Sequence, residues 1–448
     1  KCFARPMSML LSVVIFVERS QYRKSINTPL LYKDVRSVSI LKKRTSADGF
    51  LPEKEFIALF ALMMSLTALS MDSMLPAFPN IATSLGIEDY QKTQWIVSAM
   101  IFGMMFGEII FGPLSDAIGR KKCILIGIGI YIGGSVIALS ASSIEVFLLG
   151  RVIQGFGVSG PKIASRALVR DLYKGAAMAR IMSFVMMVFI LVPLLAPSIG
   201  QLVMQVADWR WIFALLVFQA SVAGGWLLLR QPETLTKENR IPLNRKRLIA
   251  DVRIILSRRD VMAFTVLLGC IFGGLMLHIS TAQSIFQDVY QTGDRFPLYF
   301  ALLAIGSSVI NFSNGKIVQR VGMLRCVIAA LSVLLAASFV LLLSTLYFDG
   351  VPPFVLFMGL GMIMFSCFGM VFGNVNAMAM EPLGKMAGLG TSVISSLSSF
   401  LAIVFSTLVG LFYHFTVTPL ASGFVIFSIV ALVMLRYGHK YSQRYVEE

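Results

Sequence analysis

Twelve apolar segments recur along the chain, at about 56–79, 93–114, 122–142, 145–166, 181–204, 209–229, 261–284, 297–316, 324–346, 353–375, 387–412 and 420–437, and no other feature constrains the fold as tightly. A helix needs about 20 apolar residues to cross a bilayer core, and runs of this length supply them. In lipid every backbone N–H and C=O must find a partner within the protein, which for a continuous apolar run means a helix. The expected fold is therefore an all-α polytopic membrane protein with twelve transmembrane helices. Composition agrees: 57% of the 448 residues are hydrophobic, 14% are charged, and the mean hydropathy is +0.80. A soluble domain has roughly 45–50% apolar and about 25% charged residues.

The charges then orient the spans. Net charge is +16, and 34 of the 39 Lys and Arg residues fall in alternate loops and the two termini. The other loops hold three, and Arg151 and Lys162 lie within a span. By the positive-inside rule the basic side is cytoplasmic, so both termini are expected inside. The excess charge is read as this topology and not as a nucleic-acid surface. Five cysteines form no CxxC pair and three histidines show no ligand spacing, so no metal is expected. No GxxxxGK[ST] stretch is present, and the chain carries no evident cofactor site.

Residues 1–50 differ from the rest. They hold a short apolar run, 7–17, and then a basic polar stretch. They are expected to form a poorly structured extension, which includes the reading of a gene-start artefact; an interfacial anchor is the alternative. Beyond them the expected units are a bundle over 51–229, a charged cytoplasmic linker over 230–260, and a bundle with a short tail over 261–448. An internal repeat supports two related halves. GPLSDAIGRKKCI (112–124) aligns with GKIVQRVGMLRCV (315–327), matching Gly112, Gly119 and Cys123 to Gly315, Gly322 and Cys326. Two six-span halves of like orientation are a transporter architecture with its site between them near the midplane.

The first copy resembles the loop signature of the major facilitator superfamily, through Gly112, Leu114, Asp116, Gly119, Arg120 and Lys121. LLGRVIQGFGVSG (148–160) resembles the superfamily's fourth-helix motif, and LVPLLAPSIGQ (191–201) its fifth-helix antiporter motif. In the latter Pro193, Pro197 and Gly200 are the residues of interest, while Ala196 and Gln201 stand where the motif has glycines. SMDSMLPAFP (70–79), RDLY (170–173), DWRWIF (208–213) and QPETL (231–235) are similar to the Bcr/CflA group of drug:proton antiporters. The resemblance covers about 52–440. It implies two pseudo-symmetric six-helix bundles and a fifth-helix bend that seals the path between them. It further implies a conformational gate of Gly112, Asp116, Gly119, Arg120 and Asp171. From the charges themselves, Asp116 is expected to face the positive N-terminal end of a neighbouring helix, the eleventh in the family fold, and Arg120 to pair with Asp171 at the end of the fourth span. These contacts latch the halves while the outward side is open.

A gradient-driven carrier needs titratable groups inside the membrane, and each such charge is costly enough to need a reason. At about 1.5 Å per residue, Asp72 lies roughly 24 Å above the cytoplasmic end of the first span and Arg151 roughly 9 Å below the outer end of the fourth. The depths agree, so Asp72 and Arg151 are expected to be coupled, either as a proton-sensitive pair or as a static ion pair. Glu108, deep in the second span, is a candidate for cation binding or proton relay, or alternatively a packed carboxyl. Gln154 lies one turn from Arg151 and either lines the same cavity or bonds a neighbouring helix. Lys162 is expected to snorkel to the cytoplasmic surface. His278 is read as a packing histidine, and Asn311, Asn314, Asn374 and Asn376 as interhelical hydrogen-bonding residues. The function expected is export of small lipophilic drugs or toxic compounds in exchange for protons. Transport of one metabolite is the alternative, and a non-transport scaffold or sensor a remote third. A monomer in the cytoplasmic membrane, working on a small-molecule substrate and protons, completes the expectation.

Overall fold

A computed structural model describes residues 51–87, 94–173 and 195–447, with Ile181 and Val192. The extension 1–50 lies outside the described residues, as does Pro193. In chain order the helices are α1 (Glu53–Asp72), α2 (Phe78–Ser84), α3 (Gln94–Ile118), α4 (Arg120–Leu139), α5 (Ile144–Leu172), α6 (Leu195–Val206) and α7 (Arg210–Arg230). A linker helix, α8 (Arg245–Ser257), follows. The second half is α9 (Arg259–Ser284), α10 (Phe296–Val321), α11 (Met323–Tyr347), α12 (Phe354–Met380), α13 (Ala387–Gly410) and α14 (Thr418–Glu447). Among the described residues, nine of the helical segments are long and apolar enough to cross a membrane. The 29-residue α5 and 26-residue α10 have the length as well.

The first span is not one continuous helix. α1 stops at Asp72, and a single 3-10 turn, Leu75–Ala77, separates it from α2. Pro76 lies in that turn and has no N–H to continue the α-helical ladder.

Neighbour relations repeat between the halves. In the first, α4 packs on α5 and α7, α3 on α5, and α1 on α5 and α7; in the second, α11 packs on α12 and α14, α10 on α12, and α9 on α12 and α14. Small tethers repeat too. Arg230 at the end of α7 forks onto Glu55 at the start of α1, with both bonds at 3.0 Å. Arg259 at the start of α9 stacks on Tyr441 near the end of α14. Among the nine candidate spans of the described residues, the leading one of each half has the largest buried share: 72% of the apolar window of Glu53–Ser84 and 78% of that of Arg259–Val289.

The sequence repeat has a shared turn behind it. Gly119 (φ +106°) joins α3 to α4, and Gly322 (φ +90°) joins α10 to α11. Both have left-handed φ, which a residue with a Cβ adopts at a cost, so each copy keeps its glycine. Within the first half, Gly103 and Gly155 let α3 and α5 touch backbone to backbone: a Cβ on either would fall on a carbonyl of the other helix, Val152 or Met100. Close approach through small residues is the usual means of helix association where lipid competes with apolar side chains.

Candidate functional site

Asp72 closes the last turn of α1, at the break in the first span. It is 3% exposed, and its Oδ1 has no hydrogen-bond partner among the described residues. The C-terminal turn of a helix offers carbonyls, not donors, so the local backbone does not solvate the carboxylate. The fifth span reaches this point. A Cβ on Gly200 would fall on the Ser73 carbonyl, so α6 touches the chain one residue after Asp72, and Pro197 on the same helix is buried.

Arg151 does not pair with Asp72. It is fully buried, and its guanidinium donates to the Ser70 carbonyl of α1 at 3.0 Å, to the Ile96 carbonyl of α3 at 3.3 Å and to Gln154 Oε1. The physical reason is competition: the fork is occupied by the Ser70 carbonyl, two residues before Asp72, by the Ile96 carbonyl and by the Gln154 side chain. Gln154 is fully buried as well, and its Nε2 donates to Ser135 Oγ on α4 at 2.8 Å. Ser70 Oγ and Tyr131 Oη, 2.5 Å apart, close the circuit between α1 and α4. Gln154 therefore bonds neighbouring helices in this structure, and the network ties α1, α3, α4 and α5 together.

Glu108 is fully buried, where a lone carboxylate would be costly, and it is paired twice. Lys162 Nζ of α5 lies 2.5 Å from its Oε1, and Ser399 Oγ of α13 donates to its Oε2 at 3.1 Å. Lys162 thus turns inward to this carboxylate and does not snorkel to the surface. The Ser399 bond crosses from the first half to the second. It belongs to a row of contacts down α3 and α13. Ser396 Oγ donates to the Met105 carbonyl at 2.7 Å, a Cβ on Gly112 would fall on Ser392 Oγ, and Asp116 Oδ2 lies 3.7 Å from where a Cβ on Gly388 would stand. Ser392, Ser396 and Ser399, spaced by four and three residues, present one polar face; that spacing in SVISSLSS was a readable signal that the sequence reasoning passed over.

At the end of that row stands the charged turn. Arg120 pairs with Asp116, with Asp171 at 3.0 Å and with Ser115 Oγ at 2.8 Å. Asp116 also faces the first turn of α13, at Gly388, where helix N–H groups favour negative charge. Glu233, from the QPETL stretch, was missed as a participant. Its carboxylate accepts from the N–H groups of Arg120 at 2.8 Å and Lys121 at 3.1 Å, capping α4 where Gly119 has no side chain to do so. Thr234 Oγ1 donates to Asp171 at 3.2 Å, which draws the linker into the same cluster. In the second copy Gln319 stands at the position of Asp116 and is exposed.

The remaining candidates are placed more simply. His278 is 2% exposed, packed on Phe300 and edge-on to Phe365, with Nε2 unpartnered among the described residues. Asn314 and Asn374 bond each other between α10 and α12, with the shorter of the two bonds at 3.0 Å. The side chain of Asn311 lies outside the described residues.

Comparison with known proteins adds three findings. A family profile described as Major Facilitator Superfamily matches residues 59–407. A bicyclomycin resistance protein homolog of Haemophilus influenzae is 27% identical over 385 residues, spanning 85% of this chain and 96% of that one. Multidrug resistance protein D of Escherichia coli is 25% identical, spanning 77% and 88%. An uncharacterised MFS-type transporter of Bacillus subtilis is 30% identical over 79% of this chain and 88% of its own. Among solved structures, the xylose transporter XylE of E. coli superposes with a TM-score of 0.66 at 14% identity, covering 87% of this chain and 99% of that one. The human organic anion transporter MFSD10 superposes with a TM-score of 0.65 at 18% identity, covering 87% and 100%. At such identities the superpositions speak to fold.

Proposed function

The chain belongs to the major facilitator superfamily, and on that premise we propose that it exports small, mostly lipophilic drugs or toxic compounds in exchange for protons. The observation that carries this reading is Asp72, a buried carboxylate whose Oδ1 has no partner among the described residues, at a break in the first span. Broken spans are where transporters of this kind place coupling groups. A charge held there without a donor is costly, and a bound proton removes the cost. The drug-resistance names of two relatives support the choice of cargo class. Proton and drug would compete for the space around Asp72, each leaving to its own side.

The α3–α13 row supports a mechanism for alternating access. Its contacts run to the end bearing the basic turn, so the cytoplasmic mouth is shut between these helices when they form. Opening inward would separate Ser399 from Glu108 and Gly388 from Asp116, while the Arg120–Asp171 pair stays within the first half. Both termini then lie in the cytoplasm of a bacterial cell, and the working unit is a monomer in the inner membrane.

Everted vesicles carrying a preformed proton gradient test the reading. Adding a lipophilic drug should dissipate the gradient, and D72N should abolish that response while still binding drug. If D72N drives export with normal pH dependence, the proton site is elsewhere. Saturable uptake of one metabolite, with no response to any drug, would overturn the cargo class.

A further inference from the structure

The linker carries a surface that transport by itself does not use. α8 leads into α9 through Arg258, whose guanidinium makes two hydrogen bonds, of 3.1 and 2.8 Å, to the buried carboxylate of Asp260. This clamp holds the corner between the linker helix and the span that follows. One face of α8 is seated on the protein: Ile255 is fully buried and Val252 packs on the core. The adjoining face is not covered. Ile249 and Leu256 are 57% and 46% exposed and, seven residues apart, lie along one line of the helix. Lys246 and Arg253, both exposed, interleave with them at three- and four-residue spacing. The strand of chain leading into α8 adds Ile241 and Leu243, 49% and 57% exposed. Leaving such aliphatic surface in water forgoes about 25 cal/mol per Å². The helix also begins its neighbouring span almost at once, so it stands at bilayer level and not out in solution.

Alternating aliphatic and basic residues on one face suit a helix lying in the plane of a lipid interface. The charge agrees with the place: the cytoplasmic leaflet is the anionic one, and basic residues beside it are attracted over a short range. We propose that α8 is docked on the cytoplasmic leaflet, with Ile249 and Leu256 in the acyl boundary and Lys246 and Arg253 on the headgroups of anionic phospholipids. The linker between the two halves is then held by the membrane, and the anionic lipid content of the bilayer sets how freely one half moves against the other. This requires the basic loops to face the cytoplasm, but it does not depend on the cargo being a drug.

The full chain bearing I249C, labelled with an environment-sensitive fluorophore, tests this in vesicles of phosphatidylcholine with or without phosphatidylglycerol. With phosphatidylglycerol the emission should shift to the blue and be quenched by lipids spin-labelled near the headgroup. The same label at E238C, on an exposed loop turn, should show neither change. Adding K246Q and R253Q should remove the difference between the two lipid compositions. Equal quenching in both compositions would overturn the anionic headgroup as the partner. Emission at 249 indistinguishable from that at 238 would overturn membrane docking altogether.

Discussion

A single carboxylate shows what burial does to a residue in this chain. Glu108 is held by Lys162 from one helix and by Ser399 from the opposite half. Removing one member of a buried pair strands the other, at a cost of about 3–5 kcal/mol. K162M should therefore lower the melting temperature in detergent markedly, and E108Q/K162M should recover most of the loss because no charge is left unpaired. Gly112 makes a different point. It has ordinary helical geometry, and its role is to leave room for Ser392. G112L should wedge α3 from α13, abolish transport and raise the labelling of cysteines placed at the cytoplasmic mouth; unchanged labelling would mean that the row is not what closes it.

At the scale of elements, α4 depends on a cap from distant sequence. Its own N-cap position is Gly119, and the carboxylate of Glu233, more than a hundred residues away, serves its first two amides. Loss of a capping side chain costs typically about 1 kcal/mol, so E233A should destabilise the protein by that order, as read from thermal unfolding. R120K should behave differently. A lysine keeps the charge but cannot reach Asp116, Asp171 and Ser115 together, so transport should fall with little change in stability. The crossing of α3 and α5 is stricter still, because backbone faces backbone at Gly103 and Gly155. G155L should leave little folded protein, measured by size-exclusion chromatography after extraction.

For the whole molecule, the central question is whether the two halves separate along α3 and α13 during transport. Cysteines at Met105 and Ser396, which touch across the same row in this structure, should be joined by a short thiol cross-linker. Transport should stop on cross-linking and return on cleavage of the link. Transport that continues with the link intact would rule out separation at this point. The pseudo-symmetry sharpens the expectation. Both halves keep the glycine turn, but the charged cluster is built on the first copy, where Asp116 faces the second half.

Spans, the repeat and the charged turn were readable in the chain because each rests on local information: the length of an apolar run, a matching run of residues in the second half, a glycine where φ is positive. The pairing of Arg120 with Asp171 was expected from the carboxylate at the end of the fourth span, and the structure contains it. The partners of the buried charges were not readable in this way. Counting residues along the helices placed Arg151 near Asp72, and in the structure it reaches the Ser70 carbonyl, two residues away. A rise per residue, however, fixes height and not the direction in which a side chain points. Which acceptor Arg151 takes, which carboxylate Lys162 finds, and which distant residue caps α4 depend on helix rotation and on crossings set by glycines. Only the tertiary structure decides those, because a buried charge is satisfied by whichever donor or acceptor the packing brings within about 3 Å.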